Sequence, residues 1–96
     1  MQNFKVNVAI QLLPLGTNEA YAKVDEAIAL IEKSGISYKV CPFETVLEGY
    51  YDEIMTLVKE IQLKCLENGV SDTICNLKIQ MRAGQDVTID DKMAKY

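Results

Sequence analysis

Histidine is absent from this chain of 96 residues, and with it go the commonest general base and the commonest metal ligand. Arginine occurs once, at Arg82. The 10 basic residues are outnumbered by 14 acidic ones, giving a net charge of −4 and a pI near 4.7. A protein that binds nucleic acid irrespective of sequence needs a basic surface, so this charge disfavours that class. No apolar run approaches the ~20 residues of a membrane span, and the start Met1-Gln2-Asn3-Phe4-Lys5 lacks the basic opening and long apolar core of a secretory signal. The expectation is therefore no membrane association. Cys41, Cys65 and Cys75 are odd in number, widely spaced and without a C-x-x-C pair, which argues against a disulfide framework or a zinc site. Free thiols in a reducing cytoplasm are expected, with the three cysteines as small core residues.

What is present is ordinary globular composition: 49% hydrophobic and 25% charged residues, with only 5 Gly and 2 Pro. The length suits one domain over 1–96 with a two-layer core and no deep private cavity. From Phe4 to Leu13, Phe4, Val6, Val8, Ile10 and Leu12 alternate with Lys5, Asn7, Ala9 and Gln11, the period of a half-buried strand. Pro14 and Gly16 are expected to end it. Asn18 is placed to cap a helix over 19–34, with Ala20, Val24, Ala27, Ile28 and Ile31 on one stripe and Gly35 closing it. Strands are expected over Ile36–Cys41 and Glu44–Glu48, with Pro42-Phe43 as the corner between them and Gly49 as a breaker. A second helix, Asp52–Asn68, has Ile54, Leu57, Val58, Ile61 and Cys65 as its inner stripe and Gly69 as its stop. A fourth strand covers Asp72–Arg82, with Thr73, Cys75, Leu77, Ile79 and Met81 inward. The tail Asp90–Tyr96 has room for one or two helical turns.

This order, βαββαβ, predicts an α+β ferredoxin-like sandwich: a four-stranded antiparallel sheet with both helices on one face. The first and third strands form the central pair, and the fourth lies beside the first. The opposite sheet face then carries Lys5, Asn7, Ala9, Gln11, Lys39, Glu44, Val46, Glu48, Asn76, Lys78 and Gln80. Gln11, Glu44 or Glu48, Asn76 and Lys78 converge near its middle, a set of amides, carboxylates and an amine able to read a small polar ligand. A polar outer face is also what any half-solvated antiparallel sheet presents, and such a face can instead meet a second subunit.

Other functions of this fold fail on required residues. A metal chaperone needs C-x-x-C in the first loop, which here reads Pro14-Leu15-Gly16-Thr17-Asn18. RNA recognition needs aromatic rings on the central strands, where Gln11, Val46 and Glu48 cannot stack. Acylphosphatase-like chemistry needs an Arg cradle in the first loop, and Arg82 lies elsewhere. Glu44 and Glu48 resemble an acid/base pair only in being neighbouring carboxylates, which are usually just solvated. Tyr50-Tyr51, opening the second helix beside Glu48, offers a stacking ring.

The stretches Ala9-Ile10-Gln11-Leu12-Leu13-Pro14-Leu15-Gly16-Thr17, Pro42-Phe43-Glu44-Thr45-Val46-Leu47-Glu48-Gly49 and Asn76-Leu77-Lys78-Ile79-Gln80 together carry a resemblance. The chain resembles, along nearly its whole length, the small thiamin-binding protein family related to YkoF-like domains, long catalogued as a family of unknown function. The resemblance implies a cytoplasmic homo-oligomer, commonly a tetramer, that binds thiamin or its hydroxymethylpyrimidine part. It implies no reaction and no cofactor. Thr45, Glu48 and Lys78 match the family's polar positions; Gln11 stands where a small hydroxyl residue is usual, and Gln80 replaces an aspartate. Thr45 alternates away from Glu44 and Glu48, so a twist or bulge at the Pro42-Phe43 corner is needed to bring all three to one ligand. The expected ligand set is Gln11, Glu44, Thr45, Glu48, Asn76 and Lys78, with no catalytic or metal-binding residue. The alternative is an assembly or regulatory domain whose polar sheet face makes subunit contacts.

Overall fold

A computed structural model describes residues 4–67 and 69–96 of the chain. Its elements run β1 (Val6–Leu15), α1 (Ala20–Ser34), β2 (Ser37–Val40), β3 (Thr45–Gly49), α2 (Tyr51–Cys65), β4 (Asp72–Gln80) and α3 (Ile89–Met93). All strand pairs are antiparallel, in the order β2-β3-β1-β4, which is the expected ferredoxin-like α+β arrangement. The core lies between the sheet and the two long helices. Val6, Val8, Ile10 and Leu12 meet Ala27 and Ile31 of α1 and the whole expected stripe of α2, Ile54, Leu57, Val58, Ile61 and Cys65. Burying those side chains, rather than intrinsic propensity, holds two 15-residue helices in place.

Several boundaries differ from the sequence reading, each for a local reason. β1 begins at Val6 and runs through Pro14 to Leu15. Past Ile10 it pairs with β4 alone, so a proline is tolerated on a strand that has lost one neighbour. Gly16 then turns the chain at φ +72°, where an added Cβ would collide with the Ser71 side chain. Asn18 does not cap α1. Glu19 occupies that position without a side-chain cap, and Thr17 Oγ1 accepts from the Glu19 N–H at 3.1 Å. Gly35 closes α1 in the left-handed region, as expected. β2 is shorter than Ile36–Cys41, exposed at every position, and an edge. Gly49 does not break β3 but ends it, paired with Val6. α2 starts one residue early, at Tyr51, and its C-cap is Leu66 rather than Gly69; the expected end at Asn68 lies outside the described residues. β4 stops at Gln80, two residues short, and Ile79 and Met81 are exposed rather than core. The tail helix is Ile89–Met93, capped by Thr88 Oγ1 accepting from the Asp91 N–H at 3.1 Å.

The tail before α3 crosses back over the outer sheet face. Val87 is fully buried and donates its N–H to Lys5 O at 2.9 Å, while Asn7 Nδ2 donates to Val87 O at 2.9 Å. Asn7, on the outward side of β1, is thereby reduced to 3% exposure. Lys23 of α1 is also buried. Its amine donates to Glu67 O at 3.1 Å, at the end of α2, and pairs with Glu26 Oε2 at 3.5 Å. This contact ties α1 to the segment that follows α2.

Candidate functional site

The registers of β1 with β3 and β4 arrange the outer face in rows across the strands. Glu48, Asn7 and Gln80 share one row, and Val46, Ala9 and Lys78 the next. One step further Gln11 lies opposite Asn76, and continuing the β3 register brings Glu44 level with Gln11. The side chains act on this proximity. Asn76 Nδ2 donates to Gln11 Oε1 at 3.2 Å, and the Lys78 amine pairs with Glu44 Oε2 at 3.5 Å. Four of the six expected ligand residues thus form two separate pairs, one hydrogen-bonded and one ionic, clustered on neighbouring rows.

Thr45 is on the other side of the sheet. It pairs regularly with Ile10, so no bulge rotates it outward, and its side chain is buried toward the helices. It lines an inner cavity of about 80 Å³ with Ile10, Leu12, Val24, Ala27, Ile28, Ile31 and Ile61. This cavity lies where β3 has ended and β1 continues with one edge unpaired. Gln11, Phe43 and Glu44 complete its lining at that gap. The cluster and Thr45 are therefore joined through the gap in the sheet, two residues of the cluster being cavity residues as well.

Glu48 stands apart. Half-buried under the tail, its Oε1 accepts from the Ile89 N–H at 2.6 Å, at the start of α3. Next to it, a concavity of about 260 Å³ between β2 and α3 is lined by Lys39, Cys41, Val46, Ile89, Lys92 and Met93. It is larger than the inner cavity but includes none of the expected ligand residues, and its two ammonium groups oppose a cationic ligand.

Phe43, which the sequence places only at a turn, is a cavity residue and 83% exposed. A large aromatic side chain at a Pro-initiated corner was the available signal. Of the Tyr50-Tyr51 pair expected to offer a stacking ring, Tyr51 packs against the core and Tyr50 is exposed at the α2 N-cap. Among the described residues no group of three His, Cys, Asp or Glu is placed to hold a metal, and no helix is long and apolar enough to cross a membrane.

A family model described as thiamine-binding protein matches residues 8–96. A UPF0045 protein of Clostridium perfringens is 38% identical over 91 residues, covering 94% of this chain and 95% of its own length. Among solved structures, a Bacillus cereus protein bearing a domain of unknown function superposes with a TM-score of 0.91 at 36% identity, covering 97% of this chain and 90% of its own. A Thermotoga maritima protein provisionally assigned to thiamine biosynthesis or salvage superposes with a TM-score of 0.86 at 33% identity, covering 96% and 98%.

Proposed function

This chain belongs to the thiamine-binding protein family, and on that premise we propose that it holds thiamin, or thiamin's hydroxymethylpyrimidine part, at the open mouth of the inner cavity, with the pyrimidine inserted in part and the rest of the molecule outside, without transforming it. One observation carries the reading: a single inward hydroxyl, Thr45, in an otherwise apolar cavity whose opening is shared with Gln11 and Glu44. An aminopyrimidine is flat, with two apolar faces and a polar edge. Leu12, Val24, Ala27, Ile28 and Ile31 suit the faces. The Thr45 hydroxyl, the Gln11 amide and the unpaired edge of β1 suit the ring nitrogens and amino group. The Glu44 carboxylate lies on the side from which the thiazolium cation would project. Asn76 acts at one remove, by orienting Gln11, while Lys78 neutralises Glu44 in the empty site. Glu48 contributes by fastening the tail.

Binding without catalysis fits the side chains present. The chain has no histidine, Glu44 is engaged by Lys78, and Glu48 is engaged by Ile89. The same reading includes a homo-oligomer, a tetramer built from dimers, in the cytoplasm. Its support is the exposed β2 edge with Tyr38 and Val40, together with exposed Leu13, Leu15 and Ile74 at the far end of the β1–β4 pair.

The test is a thermal-shift series with thiamin, hydroxymethylpyrimidine and unrelated organic cations. A ligand that binds only the folded state stabilises it by about 2.7 kcal/mol at 100 times its Kd. Thiamin and the pyrimidine are expected to raise the melting temperature and the unrelated cations to leave it unchanged. A flat response to both would remove the ligand reading and leave assembly as the function.

A further inference from the structure

The ion pair at the cavity opening has an asymmetry that bears on how a cationic ligand enters, given the thiamin reading above. Glu44 is partly sheltered, with 29% of its side chain exposed, whereas that of Lys78 is 79% exposed. Lys78 belongs to β4 and crosses the row occupied by Ala9, whose methyl group leaves its path clear. Among the described residues its amine has no other charged partner. Such an exposed pair is weak, because water screens it and a long side chain must be held in one place. Beside Glu44, Phe43 presents an aromatic ring almost wholly to solvent at the cavity opening.

We propose that Phe43 and Glu44 form a subsite for a delocalised heteroaromatic cation, and that the Lys78 ammonium is the ion exchanged when that cation arrives. A thiazolium spreads its charge over a flat ring, can lie against the Phe43 face and can approach the Glu44 carboxylate at the same time. An ammonium is compact and strongly hydrated, so it returns to water easily. The exchange leaves Glu44 paired throughout. No uncompensated carboxylate has to be sheltered in either state. Lys78 is thus a competitor held in place by the fold, not a ligand contact, and the subsite distinguishes thiamin from its neutral pyrimidine half.

The experiment is calorimetric titration of thiamin and of neutral hydroxymethylpyrimidine into wild type, Glu44→Gln, Phe43→Leu and Lys78→Gln, each with its melting curve. Glu44→Gln should weaken thiamin about 10-fold or more and Phe43→Leu about 3- to 10-fold, with the pyrimidine changed less than about twofold by either. Lys78→Gln should tighten thiamin by about two- to fivefold, since a weak competitor and a repelling charge are both removed. Thiamin binding no tighter in Lys78→Gln than in wild type overturns the exchange. Equal losses for thiamin and the pyrimidine in Glu44→Gln and Phe43→Leu overturn the cation subsite while leaving the ligand reading intact. A wild type that binds neither compound overturns both.

Discussion

Glu48 and Ile89, 41 residues apart, are joined by a 2.6 Å hydrogen bond from the Ile89 N–H to Glu48 Oε1. The bond is one of a series that lays the tail across the sheet. Asp86 Oδ1 accepts from the Lys5 N–H at 2.7 Å, Val87 is gripped by Lys5 and Asn7, and the Lys92 amine donates to Gln80 Oε1 at 2.9 Å. A carboxylate accepting from the first amides of a helix is well placed electrostatically. The outer face is therefore covered at one end of the β1–β3 pair and open at the other, where the inner cavity meets Gln11 and Glu44.

Glu48→Ala should destabilise the protein by about 1–3 kcal/mol, the range for losing a hydrogen bond to a charged group, and should deprotect the Ile89 amide against hydrogen exchange. Thiamin affinity should change less than about threefold, because the carboxylate is occupied by the tail. Denaturant melts, exchange and titration of the one variant check all three. A tenfold loss of affinity with an unaltered melt would return Glu48 to the ligand site.

The sequence carried the parts of this architecture that follow from period and order. The stripe Ile54, Leu57, Val58, Ile61 and Cys65 repeats at helical spacing and is buried in full. The βαββαβ order leads to the observed sheet, and strict alternation put Thr45 opposite in phase to Glu44 and Glu48, where it is found. What escaped was set by distant segments. Asn7 has the pattern of an exposed strand residue, and only the arrival of Val87, 80 positions later, buries it. The alternation of Val87 and Ile89 with Asp86, Thr88 and Asp90 was the signal that the tail has an inward side. Lys23 escaped because a lysine on an amphipathic helix reads as exposed until Glu67, just past α2, presents its carbonyl to it. The inner cavity could not be read at all, since it arises from β3 ending before β1 does.

Stability should fall at alkaline pH through Cys75. Burial pushes this thiol above its ordinary value of 9.0, and the neighbouring Cys65 pushes it further in the same direction. A group raised in the folded state keeps its proton longer there than in the unfolded chain. Its contribution is therefore complete below the ordinary value and is lost as pH rises through the folded one. Denaturation midpoints of wild type and Cys75→Val should diverge in their pH dependence above about pH 9, with wild type declining more steeply. Parallel curves would contradict the assignment.

Thiamin should bind more tightly than thiamin diphosphate. The net charge is −4, and the opening of the cavity carries the Glu44 carboxylate. A diphosphate needs a cradle of backbone N–H groups or several cations, neither of which the lining supplies. Competition calorimetry should rank the diphosphate about tenfold or more weaker, a penalty of about 1.4 kcal/mol. Tighter binding of the diphosphate would redirect the site toward Lys78 and Arg82.

Light scattering at micromolar concentration should give a mass near four times 10.8 kDa. Replacing Val40 on the exposed β2 edge with Lys should reduce that mass, because charge on an edge strand opposes pairing with a second copy. A wild type that scatters as a 10.8 kDa monomer would remove the assembly.

Backbone amide resonances of the isotopically labelled protein, followed during a thiamin titration, report whether the ligand ring enters between α1 and the sheet at Thr45. Saturable shifts are predicted to centre on Leu12, Val24, Ile28 and Thr45, with Glu44 at the margin, and to leave Lys39, Ile89 and Met93 where they were. Saturable shifts confined to Lys39, Glu48, Ile89 and Met93 would put the ligand under the tail and not at Thr45.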